Sequence, residues 1–279
     1  MKFGFITSFG SVHDYVDMAR DAEQHGWDGV FVWDDIAVEP RDVFDPWVVL
    51  GAMSMVTTRV TLGAMVFSLA RRRPWKVARE TLTLDNLSRG RLVLPVGLGG
   101  TWDGGYARVN TDDPDRRVRA AKLDECLDIL KLAWTGVPVT YEGSHYRMHD
   151  MLFQPRPVQQ PRIPIWPVGA WPYDRSLGRA AKWDGIIAID RSGGSEDRPI
   201  TPEVVARISA WMREHRRSAG PFDIIVEGVT SGTDHSADRA LLEPLAEAGA
   251  TWWIESRWDE HETPESLRGR IHRGPPHLS

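Results

Sequence analysis

Strand-like and helix-like patterns of apolar residues alternate about eight times along the chain. The strand signals are the short apolar runs KFGFIT, GVFVW, RVTLGAMVF, RLVLPVGLGG, IPIWPVGA, DGIIAI, FDIIVEGV and ATWWIESRW. Runs apolar on both faces suit a parallel sheet covered on both sides. Between them, apolar residues recur at helical spacing. Ser11 and Asp14 make a capping-box-like start, and Tyr15, Met18, Ala19 and Ala22 then share one face as far as Gly26. PWVVLGAMSMV predicts a second helix, and Pro74 with Gly90 brackets a third. Pro202 to His215 carries Val205, Ile208 and Met212 on one side. Eight such units predict one α/β domain over residues 1–279, a (β/α)8 TIM barrel.

Three places disturb the rhythm. Pro95 falls inside the fourth strand and predicts a bulge or an unpaired amide. Pro244 predicts a distorted seventh helix. Residues 136–162 are rich in Gly and Pro around a hairpin-like TYEGSHYRM, which reads as a surface excursion before strand five.

Composition narrows the function classes. A net charge of -5 and a pI near 6.0 give no electrostatic reason to bind nucleic acid or an anionic membrane. The N-terminus is too short and polar for a signal peptide, and no apolar run is long enough to span a bilayer. Cys126 is the only cysteine, so no intramolecular disulfide forms and a cytoplasmic setting is expected. Neither a His-x-His pair at a strand end nor a His-Glu-x-x-His helix occurs, which disfavours a barrel metallohydrolase. Thirteen tryptophans, among them Trp33, Trp102, Trp171 and Trp258 at expected element ends, suit either core and rim packing or an aromatic pocket for a flat ligand.

Barrels gather their chemistry at the C-terminal ends of the strands. Asp34 and Asp35 end strand two, where one carboxylate can face the mouth as proton donor or acceptor while the other caps a loop, or both can simply solvate a loop. Gly97-Leu98-Gly99-Gly100 ends strand four, and small residues there let a ring system approach the backbone. It is neither a dinucleotide-binding fingerprint nor a phosphate loop. Gly169, Ala170 and Trp171 end strand five ahead of a helix that carries Arg175, a cation suited to phosphate. Arg257, near the usual phosphate corner of barrels, is a second candidate or an ion-pair partner of Glu255.

Together, VFVWDD, RRRPWKVARETLTLDNLSRGRLVLPVGLGG, LDECLDILKLAWTG and PRPVQQPRIPIWPVGAWP resemble the luciferase-like monooxygenase superfamily of flavin- and deazaflavin-dependent oxidoreductases. The resemblance implies FMN or the deazaflavin coenzyme F-420 at the barrel mouth and a homodimer in contact through helices two and three, while the aromatic rim hints at a small organic substrate of apolar or aromatic character. It implies a non-proline cis peptide after strand three, which falls at Met65–Val66. It also implies that Leu98 lies near the ring and that Gly169, Ala170 and Trp171 help hold the cofactor phosphate. Relatives commonly have histidine where this chain has Asp35. A carboxyl can replace an imidazole if burial raises its pKa. Otherwise Asp103 or His13 must carry the proton, or the barrel binds a ligand without turnover.

Overall fold

The computed structural model describes residues 1–109, 115–194 and 197–278. The barrel strands are β1 (Lys2–Ile6), β2 (Gly29–Val32), β3 (Thr61–Ala64), β4 (Phe67–Ser68), β5 (Leu94–Gly97), β8 (Ile165–Trp171), β9 (Gly185–Asp190), β10 (Asp223–Gly228) and β11 (Trp252–Glu255). Their order is β3-β2-β1-β11-β10-β9-β8-β5-β4, every pairing is parallel, and β4 continues β3. A Leu62–Leu92 bridge closes the ring, with Leu62 donating to the Arg91 carbonyl and Val93 to that of Leu62. Strand three is therefore one strand in two segments, split at Met65–Val66, where sequence predicts an unbroken run.

Around the ring lie α1 (Val12–Gln24), α2 (Pro46–Val56), α3 (Pro74–Leu87), the short α4 (Gly104–Ala107), α5 (Arg116–Ala133), α6 (Asp174–Ala180), α7 (Pro202–His215), α8 (His235–Glu247) and α9 (Pro264–His272). Caps expected from sequence set several starts. Ser11 and Asp14 complete a capping box on α1, and the Asp45 carboxylate accepts from the Trp47 and Val48 amides above Pro46. The excursion is present as an antiparallel pair, β6 (Val139–Glu142) and β7 (Arg147–Met151).

Alternation within each strand makes two cores. Phe31, Trp166, Ile187, Ile225, Trp252 and Ile254 fill the barrel, with Trp166 and Trp252 ring centroids 5.3 Å apart. The opposite faces, such as Val30, Leu62 and Val226, pack beneath the helices. Cys126 is fully buried in that outer layer, and burial raises its thiol pKa, which fits packing rather than catalysis.

The two prolines are accommodated differently from expectation. Pro95 pairs in β5 without a register shift, and its ring lies against Gly63, where any Cβ would sit 3.1 Å from Pro95 Cδ. α8 runs through Pro244 uninterrupted.

Arg91 fastens the closing seam. Its guanidinium donates to Ser88 O, Thr57 Oγ1, Val60 O, Ser54 O and Thr57 O at 2.8–3.1 Å, tying the end of α2 to the β3 and β5 entries. Arg91→Ala leaves those acceptors without a charged donor and should cost about 2–3 kcal/mol of stability. Urea unfolding monitored by tryptophan fluorescence measures this as a lowered midpoint at unchanged slope.

Candidate active site

A cavity of about 1240 Å³ opens at the C-terminal ends of the strands. Of the residues singled out from sequence, Asp34, Asp35, Met65, Val66, Leu98, Gly99, Ala170 and Arg175 line it. Asp103, Gly169, Trp171 and Arg257 do not. Trp33, Trp102 and Trp258 are in the lining, so three of the four tryptophans at element ends face the cavity.

The Met65–Val66 bond is cis, where the resemblance puts it. Val66, Val168, Ala170 and Ile189 supply apolar walls nearby. The glycines of strand four stand where side chains would collide. A Cβ on Gly97 would lie 2.7 Å from Val66 Cγ2. Gly99 has a φ of 72° and leaves only 2.6 Å to Ser68 Oγ. Arg119, from α5, donates to Leu98 O and Gly99 O at 3.0 and 2.6 Å and so fixes the loop. Gly169 faces outward, since its Cβ would meet Ile186 and Leu177.

Below the mouth lies a buried ionic clamp. The Asp34 carboxylate accepts from Arg71 Nη2 at 2.8 Å, Arg72 Nη2 at 2.6 Å and the Ser68 amide at 3.0 Å. Arg71 Nη1 donates to Asp103 Oδ2 at 2.6 Å. The other Asp103 oxygen accepts from the Ile36, Ala37 and Gly105 amides, each at 3.0 Å. Both carboxylates have 0% side-chain exposure and Arg71 has 4%, so their partners are all protein groups.

Asp35 differs. It is half-buried at the cavity wall. Desolvation, with the neighbouring Asp103 and Asp34 charges, pushes its pKa up to about 6 against the pull of Arg71. That value is in the range of an imidazole. His13 is exposed on α1 and is not in the lining.

Of the expected phosphate ligands, Arg175 is exposed at the cavity wall and has no ion pair among the described residues. Arg257 is engaged elsewhere: it donates to Glu255 at 2.9 Å, to Glu262 at 2.8 Å and to Thr230 O. This is the ion-pair alternative that the sequence carried for it.

Sequence reasoning missed Arg71, Arg72 and Arg119, which hold the mouth together, and Glu227 near the end of β10, which is not itself in the cavity lining. The RRRP run was read only as the start of α3. Glu227 carried a usable signal: it lies two residues beyond the inward-facing Ile225.

A family model described as luciferase-like monooxygenase matches residues 1–270. The chain belongs to that family. Among curated relatives, an F420-dependent glucose-6-phosphate dehydrogenase of Nakamurella multipartita is 33% identical, over 100% of this chain and 89% of its own length. One of the same name from Intrasporangium calvum is 31% identical, over 100% and 92%. Among solved structures, the coenzyme F420 dependent tetrahydromethanopterin reductase of Methanopyrus kandleri superposes with a TM-score of 0.76 at 15% identity, covering 98% of this chain and 96% of that one. Luciferase-like barrels thus share this fold even where little sequence is shared.

Within this family member the clamp can be tested alone. Asp34→Asn removes the charge that holds two buried guanidinium groups, a change that typically costs about 3–5 kcal/mol. The expected result is a lower melting temperature with loss of the cavity's ligand binding. An unchanged thermal midpoint would show that the clamp is not structural.

Proposed function

We propose that the chain is an oxidoreductase that holds a flavin or deazaflavin ring across the barrel mouth and uses Asp35 to move the substrate proton. The observation that carries this reading is the half-buried Asp35 carboxyl, its pKa raised by desolvation, on the wall of a large cavity that Val66, Val168, Ala170 and Ile189 also line. The names of the curated relatives favour the deazaflavin over FMN.

The residues present fit such a ring. Met65 and Val66 would back it, Gly97 and Gly99 leave its edge clear, and Leu98, Val168 and Ala170 would flank it. Arg175, with Arg116 and Arg117 on the same cavity, would take an anionic tail. When bound, the ring would supply hydride transfer, or oxygen chemistry in the flavin case. The chain's own contribution is orientation, exclusion of water and proton handling. Trp33 and Trp258 wall the mouth with rings. Asp34 and Asp103 act one layer back, holding Arg71 and hence the loops on either side of Asp35. A raised Asp35 pKa supports turnover over the alternative of a barrel that only binds its ligand.

The reading extends to assembly and setting. Val48 and Met55 of α2 are 70% and 69% exposed and Leu87 of α3 is 42% exposed, an apolar strip suited to a homodimer contact through these helices. A lone, buried cysteine suits the cytoplasm.

Titration of the purified protein with FMN and with the deazaflavin, followed by fluorescence quenching, tests the seat. Binding of one of them well below millimolar is expected, and failure of both would end the proposal. Asp35→Asn should leave that Kd within about twofold, lower kcat by about 10²- to 10⁴-fold and abolish a pH limb near 6. A third readout needs no turnover. Asp35 binds its proton more tightly folded than unfolded, so its ionisation costs stability as the pH rises from its ordinary 3.8 through about 6. Asp35→Asn should therefore raise the melting temperature at about pH 8, and the difference should vanish below about pH 4.

A further inference from the structure

The wall of the mouth formed by β10 and β11 carries a carboxylic acid that the cofactor seat does not use. Ile225 and Ile254 point into the barrel. Glu227 follows Ile225 by two residues and pairs in register with Ile254, so it points inward one layer higher. Ser256 follows Ile254 by two and faces the same way. The three top groups are joined: Trp258 Nε1 donates to Ser256 Oγ at 2.8 Å, and Ser256 Oγ donates to Glu227 Oε2 at 3.2 Å. The other Glu227 oxygen has no partner among the described residues, and the side chain is reached by solvent. Glu227 and Ser256 are not among the residues that line the large cavity, but Trp258, which donates to Ser256, and Ile189, on the strand next to Glu227, are. Enclosure by the barrel walls pushes the Glu227 pKa up to about 7, opposed by the Ser256 bond.

The neighbouring corner, where barrels commonly seat a phosphate, is already filled by the protein's own acids. Thr230 N–H donates to Glu255 at 3.0 Å. The Ser231 and Gly232 amides donate to Asp238 at 2.7 and 2.8 Å. Glu255 is in turn held by Arg257 at 2.9 Å. Amides that could cradle an anion therefore face anions already. Two cations line the cavity near this side: Arg191, paired with Asp197, and Arg41, which lies over the Phe9 ring at 5.1 Å, with Phe9 packed edge-on against Trp258.

We propose that Glu227 is the specificity-determining residue of the mouth: it hydrogen-bonds the hydroxyl or carbonyl oxygen of an uncharged substrate, while the β10–β11 side refuses phosphate esters. Ser256 and Trp258 hold its carboxyl in place, leaving one oxygen for the ligand. Near neutrality Glu227 offers both a donor and an acceptor, as an alcohol and its ketone each require. This chain then differs in substrate class from relatives named for glucose-6-phosphate. The inference rests on the ring seat proposed above, so its test reads the two separately.

The parent protein, Glu227→Gln and Ser256→Ala are first titrated with FMN and the deazaflavin by fluorescence quenching, which reads the ring seat alone. Protein labelled with carbon-13 at glutamate Cδ is then titrated, with and without cofactor, with cyclohexanol, cyclohexanone and glucose-6-phosphate. The Glu227 resonance is the one that Glu227→Gln removes. Either uncharged probe should move it, and glucose-6-phosphate should not. Glu227→Gln should weaken binding of the uncharged probe about tenfold or more, Ser256→Ala less, with the cofactor Kd within about twofold. A resonance unmoved by both uncharged probes overturns the inference. So does one moved by glucose-6-phosphate, including through an interaction that Arg41→Ala removes. If neither cofactor binds, the earlier reading fails, and the unloaded protein still reports on Glu227.

Discussion

A buried guanidinium, Arg71, and a partly buried one, Arg72, face two buried carboxylates, and the barrel mouth is built around that pairing. Arg71 spans Asp34 at the end of β2 and Asp103 ahead of α4, while Arg72 takes the remaining lone pairs of Asp34. These groups come from three separate strand ends. None can shift without leaving a charge unpaired away from water, a penalty of several kcal/mol. The clamp thus sets the separation of the strand-two, strand-three and strand-four loops. It also creates the electrostatic setting of Asp35, whose proton affinity is raised by the two carboxylates and tempered by Arg71.

Cations of the mouth are most numerous on one flank. Arg116, Arg117 and Arg175 stand on the side of α5 and α6, and Arg179 on that side is paired with Asp124. Asp35 and Arg41 line it after β2, Arg191 lines it after β9, and Glu227 lies near the end of β10. An elongated ligand with an anionic end and a neutral ring has one favourable direction in such a field.

Much of the fold was legible because it depends on local rules. α2 and α7 start at the prolines and caps that the sequence displays, and the apolar runs mark all eight barrel strands. The division of strand three was not legible from apolar pattern, because TLGAMVF stays apolar across the split. The cis bond within it came only from family resemblance. Pro95 read as a defect because its accommodation depends on Gly63, thirty-odd residues away and visible only once the barrel is closed. At the site, the Asp34–Asp35 pair was visible as chemistry, but which member is locked and which is free depends on Arg71 and Arg72. Glu227 was overlooked because an acid in a strand reads as a solvent-facing residue until the neighbouring strands show that its face is the barrel interior.

The self-filled corner after β10 has an evolutionary consequence. Glu255 and Asp238 satisfy the loop amides that would otherwise greet an oxyanion, and Glu255 also neutralises Arg257. Replacing either acid alone would strand its donors instead of opening a usable pocket. Descent from this barrel to one that accepts a phosphate at this corner would require coordinated exchanges across two loops, which single substitutions do not supply.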